Sequence, residues 1–166
     1  MRPRLLAVAS VCATGLALAQ TGAQPLETSA ALKQLVALAR SEVLVAAPSL
    51  RSRAVAEALH TAAVQRGAQV YLLLDARWVF EPSSYAGGLS LARNVHVRTL
   101  PAQRERWAVV DRAVLAAGPL LVDDAGPLER ARTTASRDAA GVARAVRWFT
   151  SAWRSATPYR YGASAR

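Results

Sequence analysis

Residues 43–75 read VLVAAPSLRSRAVAEALHTAAVQRGAQVYLLLD, and this stretch decides the fold. Val43-Leu44-Val45-Ala46-Ala47 is a continuous apolar run closed by Pro48, the pattern of a strand covered on both faces. Ser52 is placed to cap a helix reaching about Arg66, with Val55, Leu59, Ala62 and Ala63 as its apolar stripe and Gly67 as its stop. Gln69 to Asp75 is a second apolar run. Strand, helix and strand with joints this short predict a right-handed βαβ unit whose strands are parallel.

Upstream, Thr28 or Ser29 caps a helix to about Arg40, with Leu32, Leu35, Val36 and Ala39 on one side. Downstream, Pro82, Ser83, Ser84 and the Gly87-Gly88 pair mark a loop, with a short helix over Leu89 to Arg93. Val95, Val97 and Thr99 alternate with His96 and Arg98, which predicts a strand with one polar face. Trp107 to Val110 and Ala113 to Ala117 flank Asp111-Arg112 and read as a tight hairpin. A loop over 118–127, a short strand at about Glu129 to Ala135 and a helix from Asp138 to Trp153 complete the domain. Val142, Val146, Phe149 and Trp153 share one side of that last helix. The expected architecture is α/β, a mixed sheet of about six strands flanked by helices on both faces.

Ahead of the domain, Arg2 and Arg4, the 15 residues Leu5 to Ala19, and Ala17-Leu18-Ala19 match the three parts of a secretory signal peptide over 1–19. Export as a secreted or periplasmic protein is therefore expected, with an uncleaved membrane anchor as the alternative. Residues 20–27 read as a linker, 28–154 as one domain and 155–166 as a basic flexible tail. Cys12 is the sole cysteine, so cleavage would leave a chain without disulfides, thiol nucleophile or Cys-held metal. The two histidines, His60 and His96, and scattered carboxylates form no metal-ligand spacing, and no cofactor is expected. The net charge of +10, or +8 without Arg2 and Arg4, rests on 20 Arg and a single Lys, Lys33. A balance of this kind favours polyanionic partners such as nucleic acid or anionic lipid, and also follows from a GC-rich genome.

The order of these pieces resembles the phospholipase D superfamily, in particular its small bacterial members that carry one catalytic motif and pair as dimers. Four stretches carry the likeness: Val43 to Ser49 with the helix over Arg53 to Leu59, then Gln65 to Asp75, Asn94 to Arg98, and Trp107 to Gly118. The family motif is His-x-Lys-x4-Asp. Counting back from Asp111 puts Arg106 at the lysine position and Arg104 at the histidine position, so the motif here is Arg-x-Arg-x4-Asp. The later Gly-Ser-x-Asn is replaced by Gly118-Pro119-Leu120-Leu121, and Glu129 falls where the family often has a glutamate.

In the family the histidine attacks phosphorus and the lysines neutralise the phosphate. Nucleophilic attack needs an unprotonated nitrogen, and a guanidinium stays protonated and delocalised at ordinary pH. Arg104 therefore cannot take the role, whereas Arg104 and Arg106 can both hold a phosphate through paired N–H donors. The resemblance implies an inactive phosphodiester- or polyanion-binding domain, a homodimer or a heterodimer with a related chain. Two alternatives stay open. One is an active phosphodiesterase using His96 or a histidine supplied by a partner, and the other is a structural module of the envelope. Asp111 reads equally as the motif aspartate or as a turn residue. Trp78 and Tyr85 read as stacking residues beside a basic cleft or as loop packing.

Overall fold

The computed structural model describes residues 22–26, 29–123 and 133–162. The segment read as a signal peptide, and Glu129, Arg130 and Arg132, lie outside the described residues.

The elements follow in the order β1 (Gln24–Pro25), α1 (Ser29–Ala37), β2 (Glu42–Ala47), α2 (Arg53–His60), β3 (Gln69–Asp75), α3 (Ala86–Leu89), β4 (Val95–Leu100), β5 (Trp107–Val110), β6 (Val114–Ala117), β7 (Thr134–Ser136), α4 (Ala139–Ser155) and β8 (Thr157–Pro158). The strands form one sheet in the order β1-β7-β6-β5-β2-β3-β4-β8. β2, β3 and β4 run parallel, and every other neighbouring pair is antiparallel.

The βαβ unit read from residues 43–75 is present, with Val43 beside Val70 and Ala47 beside Leu74. Its helix starts where the cap was expected: the Ser52 hydroxyl accepts the Val55 N–H at 3.2 Å. α2 then widens into a π turn over Thr61–Gln65 and stops at Gly67, whose φ of +72° is the left-handed geometry that favours glycine. Ser52 is fully buried, so Ser52→Ala is expected to lower unfolding free energy by about 1 kcal/mol. Urea denaturation of the two proteins measures it.

Two cores sit on the two faces of the sheet, as the period of two along each strand requires. Val43, Val45, Val70, Leu72, Leu74 and Val97 face α1 and α2, meeting Leu32, Val36, Val55 and Leu59. Leu44, Ala46, Leu73, Trp107 and Val109 face α4, meeting Val142 and Phe149. On that second face aromatic rings form a continuous chain. Trp148 meets Trp107 edge-on at 5.5 Å, Trp107 meets Phe149 at 6.0 Å, and Phe149 stacks on Trp153 at 5.4 Å. Tyr71 then meets Trp153 edge-on and stacks on His96 at 5.0 Å.

Three expectations change. The sheet has eight strands rather than about six, because two-residue strands are added at each edge, too short to leave a periodic signal. The presumed tail begins as β8, pairing Thr157 with Thr99, and Tyr159 then donates its N–H to the Val97 carbonyl at 3.0 Å. The short helix after the loop is Ala86–Leu89, ahead of Leu89 to Arg93, since the Tyr85 carbonyl already accepts the Leu89 N–H.

A candidate polyanion site at the carboxyl edge of the parallel strands

The parallel strands β2, β3 and β4 all end at one edge of the sheet. β5 starts and β6 ends there as well. Trp107 pairs with Ala46 and Ala117, so Arg106 stands one row further out, level with Ala47 and Leu74. Its carbonyl accepts the Gly118 N–H at 2.8 Å, which extends the ladder by one bond and fixes the Arg106 backbone. Arg104, Glu105 and Arg106 are all exposed. The two arginines make no ion pair among the described residues. Glu105, between them, accepts the Trp107 indole N–H at 3.1 Å, while the Trp107 ring packs beneath α4. Trp107 therefore does not plug the edge.

The loop feeding this segment is tightly held. Ala102 has φ of +57°, an uncommon conformation for a residue with a Cβ. Gln103 is buried, and its Oε1 accepts the Glu105 N–H at 3.1 Å. Below it Asp75, completely buried at the end of β3, accepts from the Arg77 backbone N–H at 2.8 Å. Arg77 adds Nε at 3.2 Å and Nη2 at 3.1 Å. Burial pushes the Asp75 carboxyl up, and the Arg77 fork together with the N–H donors of Arg77 and Gln103 more than offsets it, so the group sits below the ordinary carboxylate range. Asp75, Arg77 and Gln103 were not singled out from the sequence. An Asp closing a strand is the signal that would have found the first.

The remaining sequence candidates part company. Asp111 occupies the far end of β5 from Arg106, in the turn to β6. Asp111 and Arg112 both have positive φ, 49° and 53°, in a turn closed by the Ala113 N–H on the Val110 carbonyl at 2.9 Å, and the strands rejoin where Val110 pairs with Val114, which makes a three-residue loop. The Asp111 carboxylate accepts the N–H groups of Arg40, Ser41 and Glu42 and the Ser41 hydroxyl at 2.8–3.1 Å. It ties the start of β2 to the hairpin and has no part in the edge where the arginines lie. Burial raises its pKa, but the donors outweigh that and leave it lowered.

A carboxylate with a lowered folded pKa contributes stability that is complete above the unfolded value of about 3.9 and is lost as pH falls through the folded value. Asp111→Asn keeps the turn preference and removes the charge. Its melting temperature is expected to lie a few degrees below wild type at pH 7, roughly 1 kcal/mol. The two proteins should converge as pH falls below the ordinary carboxylate range and Asp111 is protonated in the folded state.

His96 lies on β4 in the row of Tyr71, Leu44 and Val109. That is three residues along and three strands across from Arg106, roughly 17 Å from strand geometry. Its Nε2 pairs with Gln69 Oε1 at 3.0 Å and its ring stacks on Tyr71, so within the chain it does not approach the site in the way the active alternative requires. His60 ends α2, which starts at the carboxyl edge and carries it away from that edge. Trp78 and Tyr85 do stand by the edge and remain 42% and 41% exposed, with the Arg77 guanidinium 5.8 Å from the Trp78 ring centroid. Loop packing accounts for only part of each ring.

No family model and no curated sequence matches the chain. Solved structures do. NucT from Helicobacter pylori superposes with a TM-score of 0.69 at 18% identity, covering 78% of this chain and 89% of that one. Nuc from Salmonella typhimurium, a phospholipase D family member, gives 0.64 at 19% identity, covering 84% and 95%. TrmBL2, an archaeal chromatin protein described with a novel mode of DNA binding, gives 0.59 at 18% identity over 82% of this chain and 52% of that one. The chain has the phospholipase D fold.

Proposed function

We propose that this phospholipase D-type domain is an exported polyanion-binding module that holds phosphodiesters through Arg104 and Arg106 and performs no phosphohistidine chemistry. One observation carries the reading. Two exposed arginines without an ion pair among the described residues stand at the edge where the motif begins, and both histidines of the chain are positioned away from it. Guanidinium groups supply parallel N–H donors matched to two phosphate oxygens, so they bind the anion, but they offer no lone pair to attack phosphorus. The resemblance to a chromatin protein described as binding DNA supports a nucleic-acid polyanion. The exposed Trp78 ring beside Arg77 adds a face on which a base can stack.

The test is fluorescence anisotropy with a labelled single-stranded oligonucleotide between 50 and 200 mM salt, beside a bis(p-nitrophenyl) phosphate hydrolysis assay. Saturable binding that weakens steeply with salt, and no turnover, is expected. Turnover that is lost in His96→Ala would overturn the proposal.

A further inference from the structure

Asp75 ends β3 completely buried, and its carboxylate serves two different segments of the chain. One is the turn after β3. There the Arg77 N–H and Nε donate to Oδ1 at 2.8 and 3.2 Å, and Arg77 Nη2 donates to Oδ2 at 3.1 Å. The other is the loop after β4, whose Gln103 N–H the carboxylate also accepts. Each segment runs directly into an exposed residue at the carboxyl edge of the sheet: Arg77 is followed by Trp78, and Gln103 by Arg104. Asp75 is the joint from which the exposed ring and the exposed guanidinium both extend.

Turn formation does not account for this aspartate. The Arg77 N–H on Oδ1 closes an Asx turn, which asparagine makes as well. What needs a carboxylate is the fork of Arg77. Burying that carboxylate against a side chain that is itself 64% exposed is a poor source of stability. The fork does fix the guanidinium, 5.8 Å from the centroid of the Trp78 ring and within cation–π range. On the other side, the loop is held in a conformation that carries a cost. Ala102 has positive φ, and the buried Gln103 Nε2 has no hydrogen-bond partner among the described residues. Such geometry persists where neighbouring contacts impose it, and the Asp75 carboxylate is one of those contacts.

We infer that Asp75 is a positioning residue for nucleic-acid binding, setting Trp78 and Arg104 relative to each other so that a base lies on the indole while an adjoining phosphate meets the arginines. Being buried, it touches no ligand itself. The inference rests on the polyanion reading above and adds that the site takes base and phosphate together, where Arg104 and Arg106 alone would take any phosphodiester.

The probes are a labelled thymidine oligonucleotide and a labelled abasic strand of the same length, compared by anisotropy at one salt concentration. Wild type should bind the thymidine strand about tenfold more tightly, the gain from stacking a base. Trp78→Ala should remove most of that difference. Arg77→Lys keeps the charge and loses the fork, and should weaken thymidine binding roughly threefold more than abasic binding. A plain phosphate contact would be lost equally from both strands, and a purely structural role would move only the melting temperature. Asp75→Asn keeps the Asx turn and should weaken both strands, the thymidine strand the more; in a Trp78→Ala background that excess should vanish. Equal binding of the two strands by wild type, with steep salt dependence, would overturn this inference and leave the polyanion reading standing, whereas binding of neither strand would overturn both. Wild-type affinity for both strands in Asp75→Asn or in Arg77→Lys would also overturn it, and Arg77→Lys, at an exposed side chain, decides the matter if Asp75→Asn does not fold.

Discussion

Arg104→Glu combined with Arg106→Glu is expected to lower affinity for a single-stranded oligonucleotide about 100-fold at 100 mM salt. Charge-assisted hydrogen bonds contribute roughly 1.5–3 kcal/mol each, so removing two of them already reaches that range before repulsion is added. Salt dependence provides the sharper reading. Each phosphate neutralised on a single strand contributes about 0.7 to the slope of log K against log salt, so the variant should lose roughly 1.4 of the wild-type slope. A charge-matched control separates the site from the general field of a chain with net charge +10. Arg66 and Arg93 are exposed and precede β3 and β4, at the edge opposite Arg106. Arg66→Glu with Arg93→Glu changes net charge equally and should cost only a few-fold. If both double variants weaken binding alike, the chain is binding by diffuse charge and Arg104 and Arg106 have no special place in it.

The second large effect is on stability. Gly118→Ala is expected to destabilise the domain by roughly 3 kcal/mol, seen as a fall of about 10 °C in melting temperature. Gly118 closes β6 with φ of +145° and ψ of 178°, a region open essentially to glycine alone. A Cβ there would lie 2.5 Å from both Cα and Oγ1 of Thr133, which is fully buried. Backbone cannot rotate away as a side chain can, so the end of β6 must separate from the segment entering β7. Thr133→Gly should therefore rescue only in part, because the contact with Cα remains. The Gly118 N–H also holds the Arg106 carbonyl, so oligonucleotide affinity should fall with stability in this variant. Thermal unfolding by circular dichroism and the anisotropy titration read the two losses separately.

Period and punctuation made much of this molecule legible in its sequence. The unbroken run Val43 to Ala47 and the run Gln69 to Asp75 are β2 and β3, buried between two helical layers. Ser52 caps the helix it was expected to cap, because a cap depends on residues two or three positions away, and Asp138, read as the first residue of the last helix, proves to be its cap in the same local way. Asp111-Arg112 makes the hairpin for the same local reason. The motif arginines were also legible, through the resemblance, and the proposal that they perform no nucleophilic chemistry starts from the guanidinium itself, which has no lone pair to offer wherever it lies.

Tertiary structure alone decided the rest. His96, adjacent in sequence to the motif strand's neighbours, is three strands away from Arg106, because β2 and β3 insert between β4 and β5. Asp111 shares a motif with Arg106 yet serves the opposite end of β5, since four extended residues carry the chain across the sheet. Asp75, Arg77 and Gln103 come together only because β3 ends under the loop that follows β4. Interactions across a few residues are set by the chain itself, whereas distances between strands are set by the order in which the sheet assembles them.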